Sequence, residues 1–275
     1  MTYTEVSFKV EPKEPGHQIV VAQLGMLGFE SFSEDEEGLK AYIQTEFFNI
    51  EDLRNCQIFE NEEFSIDFTV KELPQQNWNK AWEDNFTPVV IAENCVIRAP
   101  FHAPFDVEYE IVIEPKMSFG TGHHPTTHMM MLGLLEEDVY NKSVLDMGCG
   151  TGVLAILAEM KGAKSILAID YDEWCFENTS ENISRNECEH ITPKHGSAEQ
   201  ITGHFDLILA NINRNILIEQ IPVYSQYLNT KGVLYLSGFY EEDLEKLNQV
   251  AAKNNLNYVK HQLKNKWVCA KYFFE

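Results

Sequence analysis

The chain is poor in positive charge. Only 21 Lys and Arg stand against 43 Asp and Glu in 275 residues, a formal net charge of −22 at pH 7. Nucleic-acid binding draws on clustered Lys and Arg that neutralise phosphates, so this balance argues against direct contact with DNA or RNA. Long apolar runs are missing too. No segment approaches the roughly 20 apolar residues of a membrane-spanning helix, and MTYTEVSFKVEPKEPG lacks the basic and then apolar profile of a secretory signal. We expect a cytoplasmic monomer with no membrane association. The six cysteines (Cys56, Cys95, Cys149, Cys175, Cys188 and Cys269) contain no C-x-x-C pair, which leaves neither a zinc knuckle nor a dithiol redox motif in view. The only adjacent histidines, His123 and His124, diverge and cannot chelate one ion as an i, i+4 helical pair would. No metal site is expected.

What is present is enough apolar material for a sizeable core: 44% hydrophobic and 12% aromatic residues, consistent with one or two domains. Residues 1–75 read as strand TEVSFKV, helix GHQIVVAQLGMLG, strands FESFSE and LKAYIQT around the turn DEEG, a helix near IEDLRNCQIFE, and strand FSIDFTVKEL. The order β-α-β-β-α-β is the split pattern of a small ferredoxin-like α+β domain. It holds 16 acidic against 5 basic residues, a balance of −11. Such a field serves solubility, and it also speeds the approach of a positively charged macromolecule. Residues 76–88 follow as a linker helix in which Trp78 and Trp82, four apart, share one face.

In the domain that starts at residue 89, VIRAPFHAPFDVEYEIVIEP reads as two strands broken by prolines and leads into FGTGHHPTT, and the pattern then becomes α/β. Strands SVLDMG, SILAID, FDLILANI and GVLYLSGF alternate with helices, and NYVKHQLKN and KWVCAKYFFE close the chain as an antiparallel hairpin. Buried-type strands between helices imply a mostly parallel, Rossmann-like sheet covered on both faces. VLDMGCGTG is a strand running into a glycine turn and a helix, where Gly148 and Gly150 let a ligand approach a helix N-terminus. About 20 residues on, at the end of the next strand, Asp170 stands where a carboxylate accepts from the ribose hydroxyls of an adenosine.

Two cofactors satisfy that pattern. GTGVLA fits the dinucleotide fingerprint, so an NAD-dependent oxidoreductase is one reading. S-adenosylmethionine is the other. Asp146, two residues before the first glycine, would repel a pyrophosphate but receive the methionine amino group, or else hold the loop backbone. Asn211 and Asn213 end the strand FDLILANI, facing the cofactor. In FGTGHHPTT, Gly120 and Gly122 read as joints of a flexible loop, and Thr126 or Thr127 as the hydroxyl cap of the following helix. No general base is evident beyond a proton relay through His123 or His124.

DMGCGTG, the AID strand end, ANIN and above all FGTGHHPTT resemble the ribosomal protein L11 methyltransferase family, and the resemblance spans essentially the whole chain. It implies a seven-stranded class I methyltransferase domain over residues 89–275, with residues 1–75 recognising a basic protein substrate, ribosomal protein L11. It also implies transfer of methyl groups from S-adenosylmethionine to lysine and N-terminal amines. Thr127, Asp146, Gly148, Gly150, Asp170 and Asn211 would then bind the cofactor, and Phe119, Thr121 and Asn211 would serve the methyl transfer. A same-class enzyme acting on another protein or a small molecule, and a non-catalytic assembly factor that keeps the nucleoside pocket, stay open alongside the oxidoreductase.

Overall fold

Val6, Phe8 and Val10 alternate with polar neighbours. In the computed structural model of the protein they lie buried on one side of β1 (Tyr3–Glu11), while Glu5, Ser7 and Lys9 face the other way. The structure describes residues 2–35, 38–61, 63–73, 83, 86–116 and 118–275, in two units, Met1–Phe86 and Thr87–Glu275. The first unit continues with α1 (Lys13–Met26), β2 (Ser31–Asp35), β3 (Gly38–Gln44), α2 (Ile50–Arg54) and β4 (Ser65–Leu73). Its antiparallel sheet has the order β2-β3-β1-β4, the ferredoxin-like arrangement. Val20 and Leu24 of α1 pack with Phe8, Leu39, Ile43 and Leu53 in its core. The helix read from IEDLRNCQIFE is not one piece. Cys56 turns extended (φ −63°, ψ 133°), and a 3-10 turn at Gln57–Glu60 buries Ile58 instead. Of the expected linker helix only Glu83 and residues 86–88 are described, so Trp78 and Trp82 lie outside the described residues.

The second unit opens with β5 (Val89–Ala92), β6 (Cys95–Arg98) and β7 (Tyr109–Val112), a three-stranded sheet in which β6 and β7 run parallel. Its main sheet consists of β8 (Ser143–Met147), β9 (Ser165–Asp170), β10 (Ile191–His195), β11 (Phe205–Asn211), β12 (Leu228–Tyr240), β13 (Leu256–Lys264) and β14 (Trp267–Phe274). The order is β10-β9-β8-β11-β12-β14-β13. Strands β8 to β12 are parallel, and β14 enters antiparallel between β12 and β13. The order reverses at β8, and open α/β sheets bind ligands in the crevice at the carboxyl ends of their strands at such a switch point. Sequence reading names six of these strands; the missing one is ITPKH. Its Pro193 has no N–H to give, which an edge strand paired only with β9 tolerates.

Helices α3 (Pro125–Glu136), α4 (Val153–Met160) and α5 (Glu173–Arg185) cover one face of the sheet, where Met130, Leu134 and Ile156 pack with Val144. Helices α6 (Arg214–Tyr227) and α7 (Leu244–Ala252) cover the other, where Leu217, Tyr224 and Leu247 pack with Leu145.

Helix α5 does more than bury an apolar stripe. Asn178, Asn182 and Asn186 recur every four residues and so share one face. Asn186 accepts from the Val112 N–H (2.8 Å) and donates to the Val112 carbonyl (2.7 Å), as a neighbouring strand would. Asn182 accepts from the Glu114 N–H (3.0 Å) and donates to the Thr151 carbonyl (3.0 Å). The segment leaving β7 is thereby fixed to the loop after β8. Replacing Asn186 with Leu strands both polar groups of Val112, and chemical denaturation should show a loss of about 2 kcal/mol.

Candidate active site

The turn after β8 is built on backbone contacts. Gly148 and Cys149 donate their N–H groups to the Ile169 carbonyl (2.8 and 3.1 Å), which pins the loop to β9. Asp170, nearly buried at the end of β9, accepts from the Gly150 N–H through Oδ2 (2.8 Å) and from the Asp172 N–H through Oδ1 (3.0 Å). Each oxygen keeps a second lone pair for a ligand hydroxyl.

Asp146 is fully buried within β8. Its Oδ2 accepts from the Ala155 N–H at the start of α4 (3.2 Å), while Oδ1 has no partner among the described residues. Burial pushes its carboxyl up to about 7, the nearby Asp170 charge adds to the rise, and the Ala155 N–H opposes it. Asp146 therefore holds the first turn of α4, and its other oxygen is left unpartnered among the described residues.

The FGTGHHPTT loop lies directly against the glycine turn. The Thr151 N–H donates to the Phe119 carbonyl (2.9 Å), and the Thr151 hydroxyl to the Gly120 carbonyl (2.8 Å). This approach is why two of the glycines are glycines. A Cβ on Gly150 would stand 2.2 Å from the Phe119 oxygen and one on Gly120 2.7 Å from Thr151 Oγ1, and both residues have positive φ (58° and 111°).

The cap of α3 differs from expectation. His124, not a threonine, is the N-cap: its Nδ1 takes the Thr126 N–H (3.4 Å) and lies 2.8 Å from the Thr126 hydroxyl, with Pro125 as the first helical residue. Burial lowers the His124 pKa, which keeps the ring neutral and able to accept. Thr127, freed from capping, receives the Asn211 Nδ2 on its hydroxyl (3.3 Å) and so joins α3 to the end of β11. The Asn211 Oδ1 is left without a partner among the described residues.

A cavity of about 520 Å³ opens at the switch point. Phe119, Gly148, Gly150, Asp170 and Asn211 line it; Thr121, Thr127 and Asp146 do not. Thr121 turns to His123 Nδ1 (3.1 Å), whose Nε2 meets the Thr87 carbonyl (3.1 Å), so neither His123 nor His124 stands on the cavity wall. Phe119, half exposed, begins a row of rings: Phe119 to His124 at 5.1 Å, His124 to Trp267 at 4.9 Å, Trp267 to Tyr240 at 4.1 Å between centroids. Among the described residues no group of three His, Cys, Asp or Glu side chains is placed to hold a metal ion.

Sequence reading misses part of the wall: Tyr171, Gly196, Ser197, Ile212, Gln220 and Tyr224. The first four follow directly on strand ends, a position that flags them once β10 is recognised. Gln220 and Tyr224 carried no signal, because a helix sequence alone does not say which neighbour its buried face meets.

Comparison with known proteins gives one consistent result. A family profile described as ribosomal protein L11 methyltransferase (PrmA) matches residues 11–273. Proteins named ribosomal protein L11 methyltransferase are similar over the full length of both chains: one from Phocaeicola vulgatus is 43% identical over 281 residues, and one from Bacteroides thetaiotaomicron 42% over 280. Among solved structures, the ribosomal protein L11 methylase of Lactobacillus delbrueckii subsp. bulgaricus superposes with a TM-score of 0.63 at 30% identity, covering 68% of this chain and 98% of its own.

The Asp146 carboxyl gives this site a pH signature. Its folded pKa of about 7 lies above its ordinary value of 3.8, so the folded protein holds a proton that the unfolded chain releases. That contribution favours folding fully below about pH 4 and is lost as pH rises through 7, on the order of 4 kcal/mol in all. Without ligand, Asp146→Asn should be more stable than the wild type at pH 8, and melting curves should show the gap closing toward pH 5.

Proposed function

The chain belongs to the ribosomal protein L11 methyltransferase family and is a methyltransferase, and on that premise we propose that it transfers methyl groups from S-adenosylmethionine to lysine and N-terminal amines of ribosomal protein L11. The observation that carries the cofactor is the donor set at the switch point. Asp170 is fixed by two backbone N–H groups with lone pairs to spare for ribose hydroxyls, and the unpartnered oxygens of Asp146 and Asn211 suit an ammonium and an amine N–H. A pyrophosphate at the glycine turn would be repelled by Asp146 just before it, which disfavours a dinucleotide.

When bound, S-adenosylmethionine supplies an electrophilic methyl group on a sulfonium. The protein's task is to position the amine and keep it neutral. A lysine with pKa near 10.4 costs about 4.6 kcal/mol to deprotonate at pH 7, and an apolar surrounding reduces that cost. Asn211 is suited to the acceptor: its Nδ2 is engaged by Thr127, so Oδ1 faces the amine without adding the charge that would stabilise an ammonium. Phe119 and the loop through Thr121 exclude water at the cavity mouth. Thr127 acts by holding Asn211, and Gly148 and Gly150 let the cofactor approach the backbone.

The acidic first unit is the substrate-recognition domain in this reading, connected through the 76–88 linker, and its balance of −11 suits a basic ribosomal protein. The enzyme would act in the cytoplasm as a monomer without contacting nucleic acid.

Intact-mass spectrometry of L11 incubated with enzyme and S-adenosylmethionine should show a ladder of single-methyl steps. Asp170→Ala should abolish both the ladder and the thermal shift given by S-adenosylhomocysteine, which at 100 times its Kd is worth about 2.7 kcal/mol in the wild type. A wild-type enzyme that binds S-adenosylhomocysteine yet leaves L11 unmodified would redirect the substrate assignment.

A further inference from the structure

Trp174 is 69% exposed, at the start of α5. It is not on the cavity wall, but its neighbours Asp172 and Cys175 are. The first turn of α5 also touches the loop over the cavity, because Cys175 meets the Ser118 side chain and the Phe119 backbone. No aromatic ring or cation lies against the indole among the described residues. An indole left in water forgoes more burial than almost any other side chain, and tryptophan is enriched among the few residues that carry most of the energy of a protein contact.

Its surroundings have one sign of charge. Asp172 and Glu173 flank it, Glu177 follows one turn on, and the helix has no Lys or Arg before Arg185. Asp172 is committed to capping, accepting from the Trp174 N–H (2.9 Å). The ion pairs of this helix, Lys116 with Glu181 and Arg185 with Glu114, lie further along it. Glu173 and Glu177 both stand exposed, one turn apart on one face of the helix, with Glu177 next to Trp174 at i, i+3.

We propose that Trp174, Glu173 and Glu177 form a docking point for the protein substrate on the methyl-transferring unit itself, receiving a Lys or Arg that flanks the target amine. A guanidinium or ammonium over the indole face, with two carboxylates beside it, is a cation-π contact with its charge compensated. The carboxylates draw the cation in, and the desolvated ring supplies the affinity. Phosphate-bearing partners are repelled by the same carboxylates. The contact selects the sequence around the amine, a task separate from recognising the whole substrate. It rests on the protein-substrate reading given above.

The test is steady-state kinetics on recombinant ribosomal protein L11, with S-adenosylhomocysteine binding as the control. Trp174→Ala should raise KM for L11 about tenfold or more while leaving kcat and S-adenosylhomocysteine affinity unchanged. Trp174→Phe should restore most of the loss. Glu173→Lys with Glu177→Lys should raise KM in the same direction and weaken its salt dependence. An unchanged KM in Trp174→Ala overturns the proposal, and so does a parallel fall in S-adenosylhomocysteine affinity, which would assign the ring to the cofactor. Direct binding of L11 to wild-type and Trp174→Ala enzyme is independent of turnover. Equal affinities overturn the docking point even if no methyl is transferred, whereas loss of turnover alone tells against the reaction.

Discussion

Everything at the switch point depends on two backbones meeting closely enough to share hydrogen bonds. Thr151 gives its N–H to Phe119 and its hydroxyl to Gly120, and the turn that carries it gives the Gly150 N–H to Asp170. The meeting is possible only because Gly150 and Gly120 have no side chains to interpose. Behind the seam, Asn182 takes the Thr151 carbonyl while holding Glu114, so the loop over the cavity is fixed at its root as well as at its middle. A displacement of the glycine turn is therefore a displacement of the FGTGHHPTT loop. The two are coupled through hydrogen bonds that no single residue supplies, and in the proposed reaction this links cofactor binding to substrate access.

The distribution of charge follows a related logic. The reaction proposed above asks a chain with net charge −22 to bring an amine to a methyl donor without offering that amine a carboxylate that would keep it protonated. About half of the acidic surplus lies in residues 1–75, and more stands at the start of α5, where Asp172 borders the cavity, as Glu219 of α6 also does. On the cavity wall Asp170 is engaged by two backbone N–H groups, and off it Asp146 is buried with its carboxyl raised to about 7. Asn211, neutral and hydrogen-bonded to Thr127, keeps its Oδ1 without a partner among the described residues and is the group that the proposed reaction sets against the amine.

Much of this was legible in the sequence because it is written in local periodicity and in glycine. The period-two strands of the first unit, the strand-turn-helix at DMGCGTG and the acid one strand later are short-range signals, and the structure places Gly148, Gly150, Asp170 and Asn211 on one cavity. What escaped reading is long-range or atypical. ITPKH contains a proline and pairs only along one edge, so its pattern is not that of a buried strand. The α3 cap is a histidine, and a histidine before a proline-threonine pair gives way to the threonines in any propensity argument. The asparagines of α5 look like ordinary polar residues of an exposed helix until β7 is seen to lie alongside. Val89–Ala92 escaped because it follows directly on the expected linker helix and reads as the end of that linker.

The coupling of the two loops can be observed at two amides. The Gly150 N–H reports the side bound to Asp170, and the Thr151 N–H reports the side bound to Phe119. Hydrogen exchange at these positions, measured with and without S-adenosylhomocysteine, should slow by the same factor at both when the ligand binds, because the seam opens as one unit. Protection at Gly150 with unchanged exchange at Thr151 would show that the loops open separately, and would contradict the account.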